Sequence, residues 1–395
     1  MKKELIICFM LILVALSPTM SVGKTDASQS AFGFTEFNWI GSANTVEVFG
    51  EWDWNDPIEM NESNGVWTGY VELAEGLYCY KFIVDGNYIF DPDNSYRGYC
   101  GEYENSVIRV KDHTRPSLLP YLSGNTLKVS FIPGSSGAGP DGVPNAITGA
   151  TWDSFSSEWN YDISELSAGK HTFHLEINDV NGNVAYDEIV PFWVGEQQDF
   201  SWDDSLIYMI MTDRFVNGNT SNDPLQTGAS QGADWMGGDF AGVTEKINSG
   251  YFSELGVNVL WLTPFNTGAN NTGKASDGQH DVSAYHGYWP VEPRQVDPRL
   301  GSDEELHELV QTAHDSGIRV MMDYVINHVH ENHSYYLDNP DWFNQGCICG
   351  TSNCGWTENR LDCQFATYLP DVDWKNRNAS EQIISDLLWW VEEFD

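Results

Sequence analysis

The sequence predicts a multidomain fold, in which N-terminal all-β sandwiches precede part of a (β/α)8 TIM barrel. Three observations lead to this fold class. Short alternating strands separated by turns fill residues 32–196, and strand–helix alternation begins at Trp202. The apolar run 318–322 then ends abruptly in the polar stretch 323–328. That arrangement is typical of a barrel strand whose C-terminal end carries functional side chains.

The composition is strongly acidic. The 395 residues include 58 acidic and 19 basic side chains, and the formal net charge is −39. Such a surface repels nucleic acid and anionic membranes, and it suits neutral ligands and calcium. Solubility or a salty habitat explains the acidity equally well. We therefore expect no nucleic-acid partner, and the charge does not indicate an oligomeric state.

The N-terminus has the pattern of a secretory signal peptide over residues 1–23. Met1-Lys-Lys-Glu is followed by an apolar run at 5–16 and by small residues up to Gly23. The apolar run is too short for a transmembrane helix. We expect a secreted, extracellular or periplasmic protein without a membrane partner after cleavage, and an uncleaved N-terminal anchor is the alternative.

Six of the seven cysteines lie beyond this signal, and an even number in an exported chain favours disulfide bonds. They are Cys79, Cys100, Cys347, Cys349, Cys354 and Cys363. We expect the first two to form a local pair. Cys347 and Cys349 are too close in sequence to bond easily to each other, so each is expected to bond Cys354 or Cys363. A zinc site on these four residues is the alternative.

Two β segments are predicted before the barrel. Residues 32–111 form a small sandwich with strands at 45–49, 67–73, 77–84 and 107–110, and Asp85-Gly86 is a hairpin turn. Residues 112–196 form an immunoglobulin-like sandwich with strands at 127–132, 171–178 and 189–194. The two segments could equally belong to one larger β domain.

The barrel segment, 199–395, contains three predicted parallel strands at 206–211, 257–262 and 318–322, and helices at 244–255, 302–316 and 380–393. Residues 329–376 are irregular. Ser380 is the expected cap of the last helix. Its expected apolar face comprises Ile383, Ile384, Leu387, Leu388 and Val391.

Four stretches in order carry a family resemblance. Asp323-x-x-x-Asn327-His328 resembles the first signature region of the α-amylase family, glycoside hydrolase family 13. The stretches 211–215, 285–289 and 369–373 agree with that family. The resemblance covers roughly residues 200 to 395 and implies that 329–376 is the inserted domain B.

The first sandwich also resembles known modules. It is similar to the glycogen-binding-type, early-set modules that precede the barrel in many such enzymes. The matching stretches are 49–54, 80–86 and Asp91-Pro92. Trp52, Trp54 and Trp67 are candidate platforms for stacking on sugars. The alternative is that these rings fill the core or cover a joint between domains.

The resemblance implies a secreted glycoside hydrolase that acts on α-glucans such as starch, glycogen or maltodextrins. Retaining members use a nucleophilic carboxylate and a carboxylic acid about 5 Å apart. In the family these follow the fourth and fifth strands, so we expect both beyond Asp395 and no catalytic residue in this chain. The expectation is the N-terminal part of a longer enzyme, inactive alone. The alternative is a non-catalytic carbohydrate (starch)-binding protein.

By resemblance, half of a substrate site is present. Tyr288 is the ring on which the sugar at the cleavage point stacks, with His286 beside it. His328 would hydrogen-bond the hydroxyls of that sugar, since a neutral imidazole can both donate and accept. Asp323 would organise the site by hydrogen bonds.

Two calcium sites are also implied by resemblance. Asn327 and Asp371 would tie domain B to the barrel, and oxygen donors of this kind suit Ca²⁺. The second site would use Asn217, Asn219, Asn222, Asp223, Gly237 and Asp239. The alternative for this loop is an Asn/Gly/Asp turn that binds nothing.

Overall fold

The computed structural model describes residues 34–195, 197, 200–275, 278–360 and 362–395. The predicted signal peptide lies outside these residues. By contacts the chain divides into two compact units, Met1–Gly98 with Glu104–Asp112, and Tyr99–Tyr103 with His113–Asp395. Across the described ranges, no helix is both long and apolar enough to cross a membrane.

The first β region is the predicted sandwich of two antiparallel sheets. Its strands are β1 (Phe34–Ile40), β2 (Val46–Gly50), β3 (Asp53–Glu59), β4 (Asn61–Ser63), β5 (Val66–Glu72), β6 (Gly76–Val84), β7 (Asn87–Ile89), β8 (Arg97–Cys100) and β9 (Tyr103–Val110). One sheet has the order β1-β5-β4, and the other has the order β3-β2-β6-β9-β8, with β7 also paired to β6. The β6–β7 hairpin turns at Asp85 and Gly86, which both have positive φ angles (48° and 79°).

The second β region also contains two sheets. Its strands are β10 (Ser117–Ser123), β11 (Thr126–Ile132), β12 (Thr151–Asp153), β13 (Glu158–Asp162), β14 (Gly169–Leu175) and β15 (Glu188–Val194). The sheets have the orders β10-β11-β13-β12 and β14-β15. Alternate residues of β11 (Leu127, Val129 and Phe131) are buried in one core with Trp159. This period of two is what a half-buried strand requires.

The barrel portion contains a three-stranded parallel sheet. Its strands are β16 (Ile207–Ile210), β17 (Val259–Leu262) and β20 (Arg319–Met322), in the order β16-β17-β20. A separate two-stranded sheet, β18 (Gly273–Lys274) and β19 (Asp281–Val282), lies between β17 and β20 in the sequence. The helices are α1 (Phe240–Asn248), α2 (Tyr251–Glu254), α3 (Asp303–Asp315), α4 (Ser334–Asp338), α5 (Trp356–Asn359) and α6 (Arg377–Phe394). All three predicted strands are therefore present; β16 is shorter than predicted at both ends, and β17 and β20 are shorter only at their starts.

Two helix predictions need correction. The single helix expected at 244–255 is split into α1 and α2, because Gly250 adopts a left-handed conformation (φ 79°) between them. The last helix begins at Arg377 and not at Ser380. Its cap is Asn376, whose side chain accepts from the backbone N–H of Asn378 and Ala379.

The apolar face expected for α6 is also partly wrong. Leu388 and Val391 are exposed. The buried positions of this helix are instead Ala379, Ile383, Asp386, Trp390 and Phe394. Burial of the charged Asp386 is possible because Arg294 Nε donates to it at 2.7 Å and the Tyr335 hydroxyl at 2.9 Å.

The inserted segment is crosslinked as expected. Disulfides join Cys347 to Cys354 and Cys349 to Cys363, so the alternative of a zinc site on these four residues is wrong. Cys79 and Cys100 are likewise disulfide-bonded.

Candidate substrate and calcium sites

Tyr288 and Asp323 meet at the C-terminal end of β20. Asp323 follows that strand directly, and its N–H donates to the Leu262 carbonyl at 2.9 Å, which extends the pairing with β17. The Tyr288 hydroxyl donates to Asp323 Oδ2 at 2.6 Å. Burial, together with the Asp323 carboxylate, raises the pKa of Tyr288 to about 12. The phenol therefore stays protonated and its ring is fixed in position.

His286 lies against Tyr288 as a neutral ring. The two ring centroids are 5.7 Å apart, with planes inclined by 25°. The Tyr288 N–H donates to His286 Nδ1 at 3.0 Å, so the proton of the neutral imidazole is on Nε2. Burial lowers the pKa of His286 to about 4, and the charges of His328 and Arg214 act in the same direction. His286 can thus offer an N–H donor to a neutral hydroxyl group.

His328 is held in place by the backbone at Tyr288. Its Nε2 lies 3.0 Å from the Tyr288 carbonyl oxygen, which can only accept, so Nε2 carries the proton. Its Nδ1 lies 3.4 Å from Asn327 Nδ2. Burial lowers the pKa of His328. The structure thus places Tyr288, His286, His328 and Asp323 together, as expected for the sugar site. The N–H of His328, however, donates to the Tyr288 carbonyl oxygen and not to a site open to a sugar.

Asp213 and Arg214 join this site, and sequence reasoning gave neither a role. The Arg214 guanidinium lies 3.7 Å from the centre of the Tyr285 ring, and its Nε is 3.1 Å from Asp213 Oδ2. Asp213 is buried, which raises its pKa, and it accepts from the Met236 and Gly237 N–H groups. The only available signal was their place within the matching stretch 211–215.

The first expected calcium site is assembled from two neighbouring segments. Asn327 and Asp371 lie close because His328 bridges to Asp371 and the Val372 N–H donates to the Asn327 carbonyl at 2.9 Å. Asp371 is buried, and this desolvation raises the pKa of its carboxyl group. A cation would offset that cost, so the donor set fits Ca²⁺.

The second expected site has an unsatisfied core. Asn222 buries both its amide oxygen and its amide nitrogen without a hydrogen-bond partner. A Cβ on Gly237 (φ 84°) would lie 2.7 Å from Asn217 Nδ2 and 2.8 Å from Asp223 Oδ1, so only glycine leaves this space open. A buried oxygen without a partner and a cradle reserved by glycine fit a bound cation.

Asp239 and Asn219 organise this loop. Asp239 caps α1 by accepting from the Gly242 N–H at 2.7 Å, and it also accepts from the Asn219 N–H at 2.7 Å. The Asn219 amide oxygen accepts from both the N–H and the hydroxyl of Ser221. Asp223 Oδ1 likewise accepts from Asn217 Nδ2 at 2.6 Å. A carboxylate has about four lone-pair sites and the Ser221 hydroxyl can rotate, so these hydrogen bonds leave all six predicted residues available to a cation.

The three tryptophans of the first sandwich have different environments. Trp52 and Trp67 are partly buried and pack against its core, and the indole nitrogens of both are buried, which favours the alternative of a core role for these two. Trp54 is 39% exposed and lies edge-on to Phe49, with ring centroids 5.3 Å apart. Phe49 also contacts Tyr88, which is 67% exposed and was missed from the sequence.

Known family models match both the barrel portion and the first β region. Residues 209–346 match the family model described as the alpha amylase catalytic domain. Residues 34–115 match the model described as the glycogen recognition site of AMP-activated protein kinase.

Curated relatives are similar over part of the chain. A cyclomaltodextrin glucanotransferase of Paenibacillus macerans is 33% identical over 53% of this chain and 32% of its own length. An alpha-amylase of Niallia circulans is 34% identical over 43% of this chain and 33% of its own. A periplasmic alpha-amylase of Escherichia coli (strain K12) is 37% identical over 33% and 20%. The matched segments thus span a third or less of each relative.

Proposed function

We propose that this chain, in which residues 209–346 match the alpha amylase catalytic-domain model, is the glucan-binding part of an exported glycoside hydrolase. The proposed substrates are α-glucans such as starch, glycogen and maltodextrins, cleaved with retention by double displacement. The observation that carries the proposal is the Tyr288–Asp323 hydrogen bond, with the neutral His286 beside it at the end of a barrel strand.

These residues can recognise a neutral sugar without performing the bond cleavage. Tyr288 offers a ring face whose orientation is fixed by Asp323, and His286 offers an N–H donor. Uncharged groups suit hydroxyl groups, and contacts that strengthen in the transition state would accelerate the reaction. We assign neither the nucleophile nor the general acid to a residue of this chain.

We also propose two calcium sites that stabilise the fold. Asn327 and Asp371 would hold one ion where domain B meets the barrel. The side chains of Asn217, Asn219, Asn222, Asp223 and Asp239, with the Gly237 carbonyl, would hold the second. The bound ion would supply positive charge to the Asn222 amide oxygen, which is buried without a hydrogen-bond partner, and to the carboxylates of both sites.

The rival function is carbohydrate binding without catalysis. It is favoured by Trp54 and Tyr88, which expose two rings on a sandwich that matches a glycogen recognition model. Flat exposed rings in this module are suited to stacking on the faces of glucose units.

In either case residues 1–23 are proposed as a signal peptide that directs the chain to the periplasm or outside the cell. The proposed domains are 32–111, 112–196 and 199–395.

Binding of maltoheptaose by the purified 395-residue chain tests the proposal. Isothermal titration calorimetry would compare the parent with Trp54→Ala/Tyr88→Ala, Tyr288→Ala and the triple variant. Our proposal expects a second binding event that survives Trp54→Ala/Tyr88→Ala and disappears with Tyr288→Ala. If Trp54→Ala/Tyr88→Ala removes all binding, the barrel site does not bind glucans and the rival function is the better account.

A further inference from the structure

One fully buried carboxylate, that of Asp386 on α6, joins three parts of the barrel portion. It accepts from Arg294 Nε at 2.7 Å and from the Tyr335 hydroxyl at 2.9 Å. It also accepts from Gln382 Nε2 of its own helix at 2.9 Å. Arg294 lies in the loop that follows Tyr288, and Tyr335 lies in α4 of the inserted segment. The carboxylate therefore connects α6 both to that loop and to the inserted segment.

The loop after Tyr288 has two more side-chain contacts with α6. Arg294 Nη2 donates to Ser385 Oγ at 2.7 Å. The indole Nε1 of the buried Trp390 donates to the Pro293 carbonyl at 2.8 Å. The loop is thus held by three side-chain hydrogen bonds to one helix, and only the bond to Asp386 is shared with the inserted segment.

Tyr335 attaches the inserted segment to the same carboxylate. Burial and the charge of Asp386 raise the pKa of Tyr335, so its hydroxyl stays protonated and donates. Its N–H donates to Nδ1 of the buried His333 at 3.0 Å, and its ring packs against Trp342 with centroids 5.6 Å apart. Tyr335 therefore fixes the start of α4, shortly after His328 in the chain.

A small cavity beside Asp386 is lined by neighbours of the candidate site residues. Its volume is about 20 Å³, little more than one water molecule needs, so the surroundings are closely packed. Three lining residues each directly follow a residue of the proposed sugar or calcium sites. They are Tyr324 after Asp323, Val329 after His328, and Val372 after Asp371. Because close-packed interiors transmit strain, displacement of the Asp386 contacts would shift these backbone positions.

We propose that Asp386 is a positioning residue, whose hydrogen bonds to Arg294 and Tyr335 set the place of the Tyr288 loop relative to the inserted segment. This inference rests on the proposed function. Burial of a charge costs free energy, and an apolar side chain of similar volume often stabilises a fold equally well. Stability alone therefore does not account for a carboxylate here, whereas the arrangement of two glucan-binding segments does.

Affinity for maltoheptaose tests this role in the 395-residue Trp54→Ala/Tyr88→Ala background, in which the sandwich rings are absent. Asp386→Asn keeps the side-chain size but offers one oxygen to three donors, and it should weaken binding about tenfold. Tyr335→Phe removes one of those donors and should weaken binding about threefold. Because Tyr335 acts through Asp386, the double variant should bind no more weakly than Asp386→Asn alone. Effects that multiply would overturn this connection.

Val310→Ala is the matched control, since it removes buried volume from α3 in the same core without touching this network. It should lower the melting temperature, as Asp386→Asn does, and leave maltoheptaose affinity unchanged. Unchanged binding in Asp386→Asn overturns the positioning role. Equal weakening in Val310→Ala also overturns it, because loss of stability would then explain both results.

Hydrogen exchange separates this inference from the proposed function. Peptides covering 288–296 and 328–340 should exchange faster in Asp386→Asn than in Val310→Ala. If the background chain binds no maltoheptaose, the proposed function fails, and this exchange result alone decides whether Asp386 positions the two segments. Equal exchange in the two variants overturns the inference.

Discussion

The first β sandwich and the barrel site present aromatic rings in two different ways. In the sandwich, Trp54 and Tyr88 are exposed, and their ring contacts run through Phe49. In the barrel portion, Tyr288 is hydrogen-bonded to a carboxylate and stacked on the partly buried His286. The sandwich therefore supplies a surface that needs only ring faces, whereas the barrel site fixes a ring and a polar donor together.

The difference shows that a ring's environment decides its role. Trp54 and Trp67 are the same residue type in one module, but Trp67 lies on β5 and packs against the core, whereas Trp54 lies on β3 and is 39% exposed. In the barrel portion, Tyr288 and Asp323 come together because the loops at the C-terminal ends of neighbouring parallel strands converge.

We expect the largest difference between the two regions to be in their stability at acidic pH. Residues 34–112 contain no histidine, whereas burial lowers the pKa of both His286 and His333 to about 4 from the usual 6.5. Between these values the unfolded chain binds protons that the folded chain does not, so stability falls as the pH falls. Each histidine removes up to about 1.4 kcal/mol per pH unit, or about 3 kcal/mol by pH 4.

Hydrogen exchange by mass spectrometry at pH 6.5 and 4.5, corrected for intrinsic rates, would locate this loss. Peptides of the barrel portion should lose protection while those of the sandwich keep it. His286→Gln should reduce the loss by the contribution of one histidine. Earlier loss of protection in the sandwich would contradict the assignment.

Within the sandwich, one tryptophan substitution should lower stability and another should weaken glucan binding. Trp67→Ala removes a ring packed on the core and should lower the free energy of unfolding by about 3 kcal/mol. Trp54→Ala should leave stability within about 0.5 kcal/mol of the parent and weaken glycogen binding. Urea denaturation and glycogen co-sedimentation would measure the two effects, and the reverse assignment would mean that Trp67 is the platform.

Removal of calcium should destabilise the barrel portion alone. A site saturated at 100 times its dissociation constant contributes about 2.7 kcal/mol to folding. Chelation should therefore lower the melting temperature of the barrel transition, and Asn222→Ala should reduce the shift because it removes the buried oxygen without a partner. Asn160→Ala, in the second β region, is the control. An unchanged melting temperature at every calcium concentration would remove both sites.

The smallest expected effect is that of Tyr288→Phe. This variant keeps the ring and loses the 2.6 Å hydrogen bond to Asp323. Such a bond contributes about 1 kcal/mol, or about fivefold in affinity, if it serves to orient the ring. Maltoheptaose titration should show this decrease, while Tyr88→Phe in the sandwich should show none. A loss as large as that of Tyr288→Ala would mean that the hydroxyl group contacts the sugar directly.

Much of the fold followed from local patterns. The barrel strands were predictable because short, mainly apolar runs are bounded by glycine or polar residues. Ser302 was identifiable as the start of α3, where it forms a capping box with Glu305. The start of α6 was less determined, since Asn376 and Ser380 are both good caps. Only the finished helix shows that the Ser380 hydroxyl donates to the Arg377 carbonyl within its first turn.

The candidate site was predictable where a motif preserves spacing and was missed where contacts are long-range. Asp323 and Tyr288 followed from the order of four motifs. The roles of Asp213 and Arg214 depend on the loop at Tyr285 and Met236, and no local pattern reports such contacts. Burial of Asp386 was likewise unpredictable, because its partners Arg294 and Tyr335 are distant in sequence.

The two disulfides of the inserted segment interleave along the chain, since Cys349 lies inside the loop closed by Cys347 and Cys354 while its partner Cys363 lies outside. Four cysteines permit three pairings, and a nascent chain that forms a wrong one must reshuffle it by thiol–disulfide exchange, over seconds to hours. Asp371, whose carboxylate accepts from the Phe365 N–H, follows Cys363 in the same segment. Correct positioning of this proposed calcium ligand during biosynthesis therefore depends on the oxidant and the isomerase that the chain encounters.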